Sequence, residues 1–386
     1  MHTLISFLGK NKNKITGYNK TNYKIGNQIL TTAFLGVELA KFIQPQKLLL
    51  IGTSGSMWDV FFEHHQTDDE QVLALIDAVS QNEVTEELLT ACTPIIEVAL
   101  GCQVKCIVMK YARNEQEQVE LLNQIARELN KDDTISLDVT HSFRHLPMLA
   151  LVASRFFKNV KNIQTNKIYY GALEMTENNE APVIELNGLL KMLDWVDALS
   201  VYNHNGNYQV FSPLFERENG HKQAKLLEEA AFFENTNQIH NAYLPLKKFR
   251  DLLPELESPF MQLFGKELEN RTKWVVGRDL GDHQLKMAKF YLKKGDYLRA
   301  SVLAQEAWIS KMVTCSDKGD FNKRKEAQKS FEKNASIFDK QLFDELKAIR
   351  NALAHGTKTN FKQVKTALAD ESKLHKTLKE ILQHIK

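Results

Sequence analysis

Short apolar runs alternate with amphipathic stretches through the first half of this chain, and the alternation predicts an α/β domain. The runs have the length of buried strands and comprise Thr3 to Leu8, Lys47 to Ile51, Val104 to Met109, Thr134 to Asp138 and Lys167 to Ala172. Helical periodicity separates them at Ile25 to Phe42, Gln71 to Ala78 and Glu115 to Leu129. Apolar strands joined by connections of helix length imply a mostly parallel sheet with helices on both faces.

The pattern changes near Leu186, where strand-like runs give way to amphipathic helices. The predicted helices are Leu186 to Val201, His221 to Asn235, Ile239 to Leu253, Gln284 to Lys293, Tyr297 to Val313 and Phe338 to Ala354. Turn-forming residues cluster between Asn203 and Gly220. We therefore expect an α/β domain over residues 1–185, a connecting helix and linker over 186–215, and an all-α domain over 216–386.

The hydrophobic content is sufficient for both domains to fold, and the net charge is too small to indicate a dedicated nucleic-acid-binding protein. Of the 386 residues, 43% are hydrophobic, and 50 lysines and arginines balance 48 acidic residues. Any contact with RNA must therefore be local. Lysine-rich stretches at Asn322 to Lys325 and Lys358 to Lys365 are candidates for guiding RNA, although such stretches are also typical of solvated faces.

The cysteines and the N-terminus bear on the cellular compartment. The chain has four cysteines, which are Cys92, Cys102, Cys106 and Cys315. They show neither zinc-site spacing nor a disulfide pattern, so we expect no metal and a reducing cytoplasm. The first apolar run is too short for a signal peptide, and no segment reaches membrane-spanning length, so we expect no membrane contact.

In a mostly parallel sheet, ligands bind beyond the carboxyl ends of the strands, which directs attention to two loops. The first loop follows Ile51 and contains Thr53, Ser54 and Ser56 among glycines. Its backbone N–H groups and hydroxyls could hold a phosphate at the start of the next helix. The same residues are equally typical of a tight turn with helix-capping hydroxyls, and both interpretations stay open.

The second loop follows the strand that ends at Asp138 and is unusually polar. It places Asp138, Thr140, His141, Ser142 and Arg144 in the turn that opens the next helix. A carboxylate, hydroxyls, an imidazole and a guanidinium at the end of a buried strand favour a binding loop. In the alternative interpretation, Asp138 and Thr140 only cap the helix and the other side chains are solvated.

Arg350 and His355 are the most informative pair in the helical half. Arginine matches phosphate oxygens with a permanent charge, and histidine gains or loses a proton near neutral pH. Their spacing leaves the two side chains about 140° apart around a helix, so they cannot stack, and both could border one cleft if a second helix packs between them. Gly356 is typical of a helix C′ position and puts His355 in the last turn. The alternative is an exposed helix end without a chemical role.

These motifs resemble a known combination. Two segments are similar to the CARF domain of CRISPR-associated proteins, which is a Rossmann-like sensor of cyclic oligoadenylates. They are Asp138-Val139-Thr140-His141-Ser142-Phe143-Arg144 and, after an earlier strand, Gly52-Thr53-Ser54-Gly55-Ser56. The Arg350-Asn351-x-x-x-His355 motif resembles that of HEPN ribonuclease domains. Together the resemblance covers nearly the whole chain. It is closest to the type III accessory ribonucleases with a D-x-T-H signature.

The resemblance implies a cyclic oligoadenylate-activated, metal-independent endoribonuclease that cuts single-stranded RNA as a homodimer or a higher oligomer. Cyclic tetra-adenylate is the first choice of activator and cyclic hexa-adenylate the second, with no other cofactor. The implied catalytic residues are Arg350, Asn351 and His355, with two copies forming one composite site. The implied ligand contacts are Asn11, Thr53, Ser54, Ser56, Asp138, Thr140, His141, Ser142 and Arg144.

One departure from the family pattern is Ser142, where many members have glycine. A side chain there could alter ring-size preference or ligand turnover. Two other functions also stay open. The protein could be a ligand-sensing regulator whose helical domain binds RNA or a partner without cutting. Alternatively, the α/β domain could itself be a ring nuclease that degrades its cyclic ligand.

Overall fold

The computed structural model describes residues 1–9, 20–63, 69–141, 143–314, 318–357 and 359–385. The chain divides into two compact units, Met1–Leu190 and Lys191–Lys386. The division falls inside the segment 186–215 that the sequence assigns to the connection, and before the turn-rich stretch at 203–220.

Eight strands lie in the described part of the first unit and form one mixed sheet. They are β1 (His2–Leu8), β2 (Thr21–Ile25), β3 (Gln28–Thr32), β4 (Lys47–Thr53), β5 (Gln103–Met109), β6 (Thr134–Asp138), β7 (Gln164–Gly171) and β8 (Ala181–Glu185). Their spatial order is β3-β2-β8-β7-β6-β1-β4-β5. The neighbours from β7 to β5 pair in parallel, whereas β8 is antiparallel to β7 and β3 to β2. The predicted parallel sheet is confirmed.

The central strands are buried on both faces because their apolar side chains alternate between two cores. In β1, Leu4 belongs to one core and Ile5 to the other. In β4, which pairs with β1, Leu48 and Leu49 divide in the same way. Continuous apolar strands of this kind need cover on both sides, which the helices of the unit supply.

The helices of the first unit are α1 (Leu35–Ile43), α2 (Trp58–Glu63), α3 (Asp69–Gln81), α4 (Glu86–Leu100), α5 (Glu115–Arg127) and α6 (Leu146–Lys161). The predicted helix from Ile25 to Phe42 is wrong in its first half. There β2 and β3 form a hairpin whose two-residue turn contains Gly26 at a φ of 57°, a backbone conformation that glycine adopts without strain.

The second unit is helical. α7 (Asn187–Asn205) crosses the division, and the helices that follow are α8 (Ser212–Arg217), α9 (His221–Asn235), α10 (Ile239–Asp251), α11 (Pro259–Arg271), α12 (Leu280–Lys293), α13 (Tyr297–Met312), α14 (Phe321–Asn334), α15 (Ile337–His355), α16 (Lys362–Leu368) and α17 (Glu371–His384). No strand occurs among the described residues of this unit, which confirms the predicted all-α domain.

Much of the segment expected to connect the domains is packed into the second core. Trp195 and Tyr202 of α7 and Phe211 just before α8 are almost fully buried there. Trp195 stacks on Phe264 with ring centroids 5.0 Å apart. Large aromatic side chains contribute much of the apolar surface that a core buries, so the segment from Lys191 onward is part of this unit rather than a free linker.

Candidate functional site

The first candidate site lies at the carboxyl ends of β1 and β6, which is the topological switch point of the sheet. Asp138 ends β6, and its buried Oδ2 accepts a 2.7 Å hydrogen bond from Oγ of Ser6, the residue opposite on β1. Its Oδ1 accepts a 3.0 Å bond from the backbone N–H of Thr140. The carboxylate therefore ties the start of the loop to the sheet.

Helix α1 approaches this carboxylate so closely that its second residue has to be glycine. A Cβ atom on Gly36 would lie 2.1 Å from Oγ of Ser6 and 3.0 Å from Oδ2 of Asp138. Asp138 thus lies against the first turn of α1, where the helix dipole favours negative charge. The sequence-based site lacks Ser6 and Gly36 because the pattern places Ser6 inside a predicted strand and Gly36 inside a predicted helix.

His141 contacts the same end of α1. Its Nε2 accepts a 3.4 Å hydrogen bond from the backbone N–H of Leu35, and its ring lies edge-on to Tyr23 and Phe34 with centroids 6.4 and 6.5 Å away. Burial lowers the pKa of His141, although the negative charge of Asp138 acts in the opposite direction. The contact with Leu35 needs an unprotonated Nε2, so both observations describe a neutral imidazole.

Of the remaining predicted ligand contacts in this loop, Thr140 is tied to the sheet and Arg144 faces solvent. The hydroxyl oxygen of Thr140 accepts a 2.8 Å hydrogen bond from the backbone N–H of Gly171, which joins the loop to the end of β7. Arg144 is exposed. Two further predicted contacts, Asn11 and Ser142, lie outside the described residues.

The loop after β4 is held by its own hydroxyl groups. Oγ of Ser56 donates a 2.8 Å hydrogen bond to the carbonyl of Leu8, accepts a 2.9 Å bond from the N–H of Thr53, and lies 3.2 Å from the hydroxyl of Thr53. Thr53 and Ser56 are only 1% and 0% exposed, whereas Ser54 is half-buried. Of the three predicted hydroxyls, Ser54 is the accessible one, and the other two shape the turn.

The second candidate site is the end of α15. The helix finishes at His355, and Gly356 follows in the left-handed conformation with a φ of 60°, as the sequence predicts. His355 is exposed, and Arg350 and Asn351 are half-buried. Nε of Arg350 donates a 3.0 Å hydrogen bond to Oε1 of Gln305, a residue of α13 that is 6% exposed.

Gln305 was missed by the sequence reasoning, because a single glutamine in an amphipathic helix carries no signal. Its bond uses one of the five N–H groups of the Arg350 guanidinium. The other four could serve a bidentate contact with phosphate oxygens. The described residues show no other hydrogen bond from Arg350.

The first predicted lysine-rich stretch, Asn322 to Lys325, lies in α14, and its arginine makes contacts within the protein. Arg324 donates from Nη1 to Oγ of Ser310 at 2.6 Å and to the carbonyl of Lys318 at 2.8 Å, and its Nη2 pairs with Glu306. This guanidinium is therefore occupied within the protein, whereas the lysines beside it in the sequence are exposed.

Three further features were considered in the described residues: possible metal ligands, cysteine thiols and membrane-spanning helices. Within the described ranges, no group of three or more His, Cys, Asp or Glu side chains is arranged to hold a metal ion. Cys92, Cys102 and Cys106 are free and buried, and Cys315 falls outside those ranges. No helix of the described chain combines the length and apolar character needed to span a bilayer.

The first unit matches one family model, and the chain is similar to two further CRISPR proteins. Residues 3–174 match the family model of the CARF domain of the CRISPR system endoribonuclease Csx1. The CRISPR-associated protein MJ1674 of Methanocaldococcus jannaschii is 24% identical over 374 residues, which cover 88% of this chain and 59% of that protein. The chain thus spans about three fifths of the length of this relative. A solved structure of Enterococcus italicus Csm6, bound to cyclic hexa-2′-fluoro-hexa-dAMP, aligns with a TM-score of 0.39 at 11% identity, covering 100% of this chain and 94% of that one.

Proposed function

We propose that the protein is a cyclic oligoadenylate-activated endoribonuclease of type III CRISPR defence that cuts single-stranded RNA, on the premise that residues 3–174 match the family model of the Csx1 CARF domain. The family description names an endoribonuclease. The observation that carries the proposal is that one chain combines a polar loop at the switch point of a CARF sheet with Arg350 and His355 at the end of a helix in a separate all-α unit.

In this proposal the cyclic ligand binds at the loops after β4 and β6. Arg144 is exposed and supplies a permanent positive charge for a phosphate, and Ser54 supplies an accessible hydroxyl. Asp138, His141 and Ser56 hold these loops in position through the contacts described above. Cyclic tetra-adenylate is the favoured activator and cyclic hexa-adenylate the second choice. Direct contacts from the side chains of Thr140, Asn11 and Ser142 and from the backbone of the buried Thr53 remain predictions.

We assign the RNA cleavage to α15. The 2′-oxygen of a ribose attacks the adjacent phosphorus and the bond to the 5′-oxygen breaks, which yields a 2′,3′-cyclic phosphate and a 5′-hydroxyl. His355 moves a proton between solvent and the reacting oxygens. Arg350 stabilises negative charge on the phosphorus-bound oxygens, and Asn351 orients the phosphate by hydrogen bonding. These residues supply charge stabilisation and proton transfer without a metal ion. Single-stranded RNA has the freedom that in-line attack requires.

A homodimer would complete this site, since a second copy of α15 brings a second Arg350 and His355. An apolar stripe on α6 supports self-association of the first unit. Its side chains lie one turn apart and are Met148, Val152, Phe156 and Val160, at 67%, 60%, 38% and 62% exposure. Exposed apolar stripes of this kind mark protein interaction surfaces. A second copy of the chain is the partner that the composite nuclease site requires.

The experiment that tests the proposal is cleavage of a labelled single-stranded RNA in EDTA with and without cyclic tetra-adenylate. We expect ligand-dependent cleavage whose products carry 5′-hydroxyl and cyclic phosphate ends. Cleavage that leaves 5′-phosphate ends would rule out attack by the 2′-hydroxyl. The absence of any ligand effect would rule out the sensor assignment.

A further inference from the structure

A cavity of about 310 Å³ opens into the second unit beside α12. Its wall combines aromatic rings with cationic side chains, chiefly Tyr202, Arg271, Lys273, Trp274, Lys286 and Phe290. The guanidinium of Arg271 lies 4.3 Å from the ring centre of Tyr202. None of these residues belongs to α13, α14 or α15, so the cavity is distinct from the end of α15 that carries His355.

A second groove, of about 430 Å³, lies on the other side of α12 against α17. Its polar lining is strongly basic and includes Lys289, Lys293, His375 and Lys379. All three lysines are exposed, and no ion pair to them is found within the described residues. The groove is therefore an uncompensated positive surface.

A row of lysines on α12 separates the cavity from the groove. Lys286 borders the cavity, and Lys289 and Lys293 border the groove. At helical spacing the three side chains fall within about 60° around the axis and span about 10 Å along it. One ridge of positive charge thus connects the two depressions.

Lys294 and Arg271 both donate hydrogen bonds to Asn203, so their positive charges lie close together. Burial lowers the pKa of Lys294, and the charges of Arg271 and Lys293 lower it further. Arg271 lines the cavity and Lys293 lines the groove, so both act on the same ammonium group. Cations held together in this way favour an anionic ligand that bridges them.

The acidic group in the cavity wall does not cancel this charge. Glu234 is almost fully buried, and its two oxygens accept hydrogen bonds of 2.8 and 2.7 Å from the hydroxyls of Tyr208 and Tyr291. Burial raises the pKa of Glu234 to about 7, against the opposing effect of these bonds. Near neutral pH about half of the Glu234 carboxyl is therefore uncharged. Arg271 has an acidic partner in Glu267 at 2.8 Å, so the exposed Lys273 and Lys286 carry the positive charge of the cavity.

We propose that this surface is an RNA-binding track, in which the phosphates of a single strand follow Lys286, Lys289 and Lys293 and one base enters the aromatic cavity at Phe290. The inference rests on the proposed action on single-stranded RNA and deepens it with a second binding region away from the scissile bond. Basic grooves with adjacent aromatic rings are the usual means of binding unpaired nucleic acid, since each base offers a face for stacking. The side chains of a polyacidic segment would pair with the lysines but supply no planar ring for the cavity.

The lysine row is tested by RNA binding to the full chain with His355→Ala, which keeps the RNA intact. The probe is a short fluorescein-labelled oligouridylate, which differs in base from the proposed ligand of the first unit, and its binding is measured by polarisation over a range of salt concentrations. The double variant Lys289→Ala, Lys293→Ala should bind the RNA about tenfold more weakly. The plot of the logarithm of affinity against the logarithm of salt concentration should also become less steep, by about 0.7 for each phosphate that a lysine no longer neutralises. The matched control Lys222→Ala, Lys225→Ala removes two exposed lysines from α9. Equal salt-dependence slopes for the two double variants would contradict the proposed RNA-binding track.

The cavity is tested with Phe290→Leu, which keeps apolar volume but removes the ring. We expect RNA affinity to fall about fivefold or more with an unchanged salt slope, because stacking involves no counterion release. An unchanged melting temperature establishes that the fold is intact. Unchanged affinity would exclude a base in the cavity. Competition by polyglutamate as strong as competition by unlabelled RNA of equal charge would instead assign the surface to acidic peptides.

These binding results are independent of cleavage. If the wild-type chain fails to cut RNA but the lysine variant shows reduced affinity and a reduced slope, the proposed nuclease function fails and the track stands. If the wild-type chain cuts RNA and the lysine variant behaves like its control, the nuclease stands and the track fails.

Discussion

Nε of Arg350 on α15 donates a 3.0 Å hydrogen bond to Oε1 of the buried Gln305 on α13. This bond fixes one edge of the guanidinium from a second helix and leaves its terminal N–H groups for a phosphate. Gln305 is therefore a positioning residue for the proposed cleavage.

The first prediction concerns this hydrogen bond. Gln305→Ala should lower kcat for RNA cleavage about 10- to 100-fold, because hydrogen bonds to charged groups contribute about 1.5–3 kcal/mol. KM for RNA should change less, since Arg350 keeps its charge. The control is Gln328→Ala, which removes a glutamine that bonds only to a neighbour on α14 in the described structure. Equal kcat values for the two variants would mean that Gln305 has no role in positioning.

The second prediction concerns the ligand loop. Arg144→Ala should weaken binding of cyclic tetra-adenylate about 10- to 100-fold, because alanine cannot form the charge-assisted hydrogen bond to phosphate. Isothermal titration calorimetry measures this directly. Arg127→Ala, at an exposed arginine on α5, is the control. Wild-type affinity in Arg144→Ala would remove this residue from the ligand site.

The third prediction concerns pH. His141 has a lowered pKa in the folded protein and is held as a neutral acceptor for Leu35. Its contribution to the free energy of unfolding is therefore fully present above about pH 6.5, the unfolded pKa, and is lost as the pH falls below it. His141→Gln keeps an acceptor but cannot titrate. Thermal unfolding between about pH 5 and 8 should show a smaller pH dependence in this variant, whereas identical curves would contradict the assignment.

The fourth prediction concerns self-association. Val152→Lys places a charge in the apolar stripe of α6 and should raise the dimer dissociation constant at least tenfold, because a buried charge at the interface would lack a partner. Analytical ultracentrifugation measures the constant. Val119→Lys alters a valine on α5 that is 50% exposed, against 60% for Val152, and should have no effect. If the two variants dimerise alike, α6 is not an interface.

Pattern and spacing predicted the elements with strong periodicity. The five predicted strands, which correspond to β1, β4, β5, β6 and β7, and the end of α15 at Gly356 agree with the structure because each depends on local sequence. β2, β3 and β8 were missed, since they are short strands at the side of the sheet where alternation is weak.

The interactions within the candidate sites depend on tertiary structure and could not be predicted in the same way. Ser6 lies 132 positions before Asp138, and Gln305 lies 45 before Arg350. The need for glycine at position 36 arises only when α1 packs against the switch point. The sequence identified the residue types, whereas the fold determines which of them hold the loops and which face solvent.

The central claim is that His355 carries ligand-activated RNA cleavage. It is tested most directly by measuring cleavage of single-stranded RNA in EDTA by the wild type, His355→Ala and His240→Ala, with cyclic tetra-adenylate, cyclic hexa-adenylate or no ligand. His240 is an exposed histidine on α10 of the same unit and serves as the matched control. We predict that a cyclic oligoadenylate activates the wild type and His240→Ala, and that His355→Ala loses at least 100-fold in rate, in line with the usual contribution of a positioned acid–base group of about 10²–10⁴. Activated cleavage by His355→Ala at the wild-type rate would contradict the account.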